Sequence, residues 1–135
     1  MRIVVIDGQG GSIGKSLIAS LSRELPGAEI IAIGTNAVST AAMLKAGASV
    51  GATGENAIVY NAPRCDLIIG PIGVMVPNAM YGEVSPAIAQ AVGMSDAQKI
   101  LIPSTQCNTS IAGVSPRPLG EYIAEAVAMA RQANG

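Results

Sequence analysis

Arg2-Ile3-Val4-Val5-Ile6-Asp7-Gly8-Gln9-Gly10-Gly11-Ser12-Ile13-Gly14-Lys15-Ser16 is the stretch whose reading decides the fold. Ile3 to Ile6 is β-branched throughout. Arg2 to Ile6 therefore has the pattern of a strand buried on both faces of a parallel sheet. Gly8, Gly10, Gly11 and Gly14 come next, and Ser12 is a candidate N-cap. Leu17, Ile18, Leu21 and Leu25 then recur at helical spacing until Pro26-Gly27 ends the run. Strand, glycine turn and helix in that order present backbone N–H groups and a partial positive charge to an anion.

The turn has three readings. Gly8-x-x-Gly11-x-x-Gly14 is a dinucleotide-type spacing, with Gly8-x-Gly10 as a variant whose third glycine comes one place late. Gly14-Lys15-Ser16 resembles the end of a P-loop, but the position that needs the first glycine holds Gln9. The third reading is a tight strand–helix turn with no ligand.

Outward from the turn, strands and helices alternate. Glu29–Ile33 repeats the buried-strand pattern, and Gly34-Thr35-Asn36 turns into a helix over Ala37–Lys45. Ala48–Ala52 is a short third strand, and Glu55–Asn61 leans to helix ahead of Pro63. Asp66–Ile69 is a strand broken by Gly70-Pro71-Ile72-Gly73. Ser85 and Pro86 open a helix to Val92, Lys99–Ile102 is a strand stopped by Pro103, and Leu119–Gln132 closes the chain as a helix. This predicts a single α/β domain over residues 1–135: a doubly wound, mostly parallel, Rossmann-like sheet of about five strands. Its ligand edge lies at the strands' carboxyl ends.

Composition narrows the function. Half the 135 residues are hydrophobic and 13% are charged, about half the usual ~25%. Phe and Trp are absent, and a core of small aliphatics with few surface charges predicts a homo-oligomer with an apolar interface. A net charge of −1 gives no general pull toward nucleic acid or anionic membrane, and no apolar run approaches a membrane span. The first strand runs straight into Asp7-Gly8, unlike a signal peptide. Cys65 and Cys107 read as free thiols, so a reducing cytoplasm is expected. With no histidine, triads and His-based metal sites are excluded and no metal is expected.

The run Ile6–Ser16, together with Gly34-Thr35-Asn36-Ala37, Met43–Ala48, Gly51–Ala57, Gly70-Pro71-Ile72-Gly73 and Cys107-Asn108, resembles a small bacterial family recorded as a domain of unknown function. The resemblance covers nearly the whole chain. It implies a cytoplasmic, Rossmann-like domain, mostly of anaerobic bacteria, without an established activity or catalytic residues.

The candidate cofactor-binding set is Gly8, Gly10, Gly11, Ser12, Ile13, Gly14, Lys15, Thr35, Asn36, Gly70, Pro71, Ile72 and Gly73. No acid ends the second strand to grip a ribose 2′-OH, which counts against NAD. Thr35 and Asn36 are possible donors to a 2′-phosphate, which favours NADP, and equally possible caps for the next helix. No Tyr is followed four places on by Lys, so the short-chain reductase pair is missing. Cys107, amid Ser104, Thr105, Gln106, Asn108 and Thr109, is a candidate nucleophile. Glu83 and Glu55 are candidate bases, and Arg64 and Arg117 candidate phosphate ligands. The expected function is binding of a nucleotide, dinucleotide or other phosphate-bearing molecule, as a small NAD(P)-dependent oxidoreductase. The alternative is a non-catalytic, homo-oligomeric nucleotide sensor.

Overall fold

The computed structural model describes residues 1–103 and 108–134. Five strands, β1 (Arg2–Asp7), β2 (Glu29–Gly34), β3 (Val50–Thr53), β4 (Leu67–Pro71) and β5 (Gln98–Ile102), form one parallel sheet in the order β3-β2-β1-β4-β5. The helices are α1 (Ser12–Glu24), α2 (Ala37–Lys45), α3 (Glu55–Asn61), α4 (Pro86–Met94) and α5 (Leu119–Asn134). This is the doubly wound, Rossmann-like architecture expected.

The strand period of two sorts β1 into two cores. Ile3 and Val5 pack with Leu17, Ile18 and Leu21 of α1 and with Ile123, Ala126, Val127 and Ala130 of α5. Val4 and Ile6 face the opposite layer, with Ile58 of α3 and Ile88, Ala89 and Val92 of α4. A β-branched run was required because both faces of the sheet are covered. The register pairs Ile6 with Ile33 across β1–β2 and Val5 with Ile69 across β1–β4.

Three local expectations shift. Ser12 is the first residue of α1, and Gly11 (φ 76°) is its cap. A Cβ on Gly11 would lie 2.9 Å from the Ser39 Cα, so glycine serves both conformation and space there. Gly70 and Pro71 continue β4 instead of breaking it, because Pro71 pairs with Ile102 and a Cβ on Gly70 would stand 2.3 Å from the Ile6 carbonyl oxygen. The third strand begins at Val50, two residues later than read. Ser85 does cap α4, accepting from the Ile88 N–H, and Glu55–Asn61 is helical.

From β1 the chain winds to β2 and β3 on one side, then crosses back to β4 and β5 on the other. This reversal opens a crevice between the carboxyl ends of β1 and β4, where open α/β sheets take their ligands. No helix among the described residues is long and apolar enough to cross a membrane.

Candidate functional site

The crevice is a cleft of about 710 Å³, within the range of small-molecule sites. One wall is the glycine turn, Asp7 to Ile13. The other is Pro71, Gly73 and the segment from Val76 to Tyr81.

Asp7, at the end of β1, organises the turn. Its carboxylate accepts the Gly8 N–H at 2.8 Å on Oδ1 and the Gly14 N–H at 2.7 Å on Oδ2. Burial pushes its carboxyl above the ordinary value of 3.8. The N–H groups of Gly14, Gly8 and Ile13 oppose that rise, and the nearby Glu83 charge adds to it. The Gly11 N–H donates to the Gly8 carbonyl at 2.9 Å. The chain itself thus takes the N–H groups of Gly8, Gly11 and Gly14, while those of Gly10 and Ser12 are left for a ligand among the described residues.

Glu83, read as a possible base, is a latch. Its Oε1 accepts the Gln9 N–H at 2.9 Å, the Thr35 hydroxyl at 2.6 Å and the Asn36 amide at 2.8 Å. The Thr35 bond is the main cause of its lowered carboxyl pKa. Burial opposes it, and the Gln9 and Asn36 donors add to it. The segment from Val76 to Glu83 is thereby strapped over the β1–β2 side of the turn. A Cβ on Gly8 would meet the Met80 Sδ and the Thr35 hydroxyl at 2.6 Å each.

The expected NADP or NAD cofactor is therefore corrected. Thr35 and Asn36, the supposed 2′-phosphate donors, already hold a carboxylate that repels a phosphate. Asn36 also caps α2 by accepting from the Ser39 N–H, and it donates to the Gln9 carbonyl.

The remaining candidates scatter. Pro71 and Gly73 line the cleft. Ile72 lines a second, more apolar cavity, which Arg117 also borders beside Glu125 and Tyr122. Lys15 is exposed on α1 and is not among the residues lining either cavity. Glu55 accepts from the Ser85 hydroxyl at 2.5 Å. Arg64 lies over the Tyr60 ring, near the opposite edge of the sheet. Cys65 is half-buried, and burial pushes its thiol up to about 11. Cys107 lies outside the described residues. No cluster of His, Cys, Asp or Glu among the described residues is arranged to hold a metal. Sequence reasoning missed Asp7, Pro77, Met80 and Tyr81. Only Asp7 carried a signal, as an acid directly before the glycine run.

A family model described as "Domain of unknown function (DUF3842)" matches residues 2–134. No curated protein matches the chain. Among solved structures, a dodecameric FMN-dependent UbiX-like decarboxylase from Escherichia coli O157:H7 matches at a TM-score of 0.49 and 16% identity, over 99% of this chain and 76% of that one. The cofactor in its title is a flavin, not NAD or NADP.

Proposed function

The chain belongs to the family described as a domain of unknown function (DUF3842), and because that description assigns no activity we propose a function from the site itself. The protein binds a phosphate-bearing small molecule of mononucleotide size in the cleft between β1 and β4. The observation that carries this reading is the cleft's wall. The N-terminus of α1 opens into a cavity of about 710 Å³ at the topological switch point, with the Gly10 and Ser12 N–H groups uncommitted among the described residues. The strap over the β2 side limits the ligand to the β1–β4 half of the edge.

The cleft offers backbone N–H groups, the Ser12 hydroxyl and a carboxylate tied to the turn. This is a set for holding a ligand, and it favours a nucleotide-sensing or regulatory module over an enzyme complete within one chain. The homo-oligomer belongs to the same reading. Val38, Leu44 and Val50 are exposed at the β3 end of the sheet, at 68%, 43% and 51%. A cytoplasmic setting fits the free Cys65 thiol.

A thermal-shift screen with AMP, ATP, GTP, FMN and coenzyme A tests the proposal. A ligand present at a hundred times its dissociation constant adds about 2.7 kcal/mol of stability. Stabilisation by at least one compound that disappears in Ser12→Pro, which deletes the N–H, is the expected result. No shift with any of them contradicts it.

A further inference from the structure

The three tyrosines differ in their partners. The Arg64 guanidinium lies 4.1 Å from the centroid of the Tyr60 ring. Arg117 lies 4.4 Å from the centroid of Tyr122, whose hydroxyl donates to the Ser115 carbonyl at 2.5 Å. Tyr81 makes no hydrogen bond or ring contact among the described residues. Its side chain stands wholly in solvent, at 101% relative exposure, on the lip of the cleft.

The backbone beneath Tyr81 is strained and yet held. Met80 and Tyr81 have φ of 59° and 57°, a region that bulky side chains avoid, and they lie between Asn78 at 66° and Gly82 at 89°, whose residue types accept it. The Asn78 N–H donates to the Val84 carbonyl at 2.6 Å, the Gly82 N–H to Asn78 at 3.1 Å and the Glu83 N–H to Met80 at 3.1 Å. The Glu83 latch and the seat of Met80 against Gly8 fix the far end. Holding an aromatic ring in water by a strained backbone buries no apolar surface and adds nothing to the fold. The ring gains a role when a flat group enters the cleft, which is far larger than a phosphate alone requires.

We propose that Tyr81 is a specificity-determining residue that stacks on a planar heterocycle of the bound molecule, so that the ligand is a ring-bearing mononucleotide and not a sugar phosphate or free phosphate. The inference rests on the binding reading above and names the ligand class for that cleft. Stacking on an aromatic side chain tolerates any flat ring. It selects for the presence of a ring more than for its hydrogen-bonding edge.

Calorimetric titration of the full chain with AMP, FMN and ribose 5-phosphate tests this. Tyr81→Phe keeps the ring. Tyr81→Asn removes it and leaves a residue that accepts positive φ, so the strap keeps its shape. The native chain is expected to bind AMP or FMN about tenfold or more tighter than ribose 5-phosphate. Tyr81→Asn loses that margin with ribose 5-phosphate binding unchanged, and Tyr81→Phe retains it. A margin that survives Tyr81→Asn, or no margin in the native chain, overturns the inference and leaves the phosphate-binding reading standing. Ring probes that bind through Tyr81 while ribose 5-phosphate does not bind support the inference and overturn the phosphate anchor. If the native chain binds none of the three, both fall.

Discussion

Asp7 shows how one side chain both builds a site and restricts it. Its two oxygens set the turn's shape by taking the Gly8 and Gly14 N–H groups, and the same bonds put negative charge beneath the anion position. Asp7→Asn leaves one of those donors facing an amide NH2, and a buried donor without an acceptor costs about 1–3 kcal/mol. We expect urea unfolding at neutral pH to show a loss in that range. The pH dependence has a definite sign. The folded carboxyl titrates above the ordinary value of 3.8, so the stability linked to its proton is fully present below that value and is lost as pH rises through the higher folded one. The stability gap between the native chain and Asp7→Asn therefore narrows with rising pH. A gap that widens over the same range contradicts the burial of this carboxyl.

At the scale of elements, the turn and the strap hold each other. Glu83→Ala deletes the shared acceptor of Gln9, Thr35 and Asn36. Hydrogen exchange is expected to quicken at the Gln9 and Asn78 amides, while the β1 amides stay protected. Uniform exchange across native and variant removes the latch from the account. Glycines give a second contrast. Gly70→Ala drives a Cβ to 2.3 Å from a backbone oxygen inside the sheet, and a loss of more than about 3 kcal/mol is expected, since backbone has little room to yield. Gly10→Ala meets nothing within 4 Å and is expected to stay within about 0.5 kcal/mol of native. Equal melting points for the two variants contradict the packing described.

These elements also show where the sequence was readable. Ile3–Ile6 and Glu29–Ile33 announced buried parallel strands because both faces of the sheet need apolar side chains. Pro86 after Ser85 marked the start of α4 through local capping chemistry. Gly70-Pro71 looked like a break because its local signal is that of a turn. The long-range need for a residue without a Cβ against Ile6 decided otherwise. The latch was out of reach of local reading, since Glu83 and Gln9 are 74 residues apart and neither type advertises the pairing. The missing acid of β2 thus has its counterpart in Glu83, arriving from the β4–α4 connection.

For the whole molecule, the fold places one cleft where the sheet reverses direction and leaves apolar side chains uncovered at the β3 end. Sedimentation equilibrium at micromolar concentration is expected to give a mass above that of the 13.5 kDa chain, and Leu44→Lys with Val50→Lys to lower it. A native monomer removes the oligomer from the proposal and leaves the cleft intact. We propose that the cleft takes its ligand on the Gly10 and Ser12 N–H groups of the turn, beside a strap that closes off β2. Titration of the ¹⁵N-labelled protein with AMP and FMN, followed amide by amide, tests it most directly. The Gly10, Ser12 and Tyr81 amides are expected to shift while those of Thr35 and Asn36 stay nearly still. Shifts concentrated at Thr35 and Asn36, or none at the glycine turn, would contradict it.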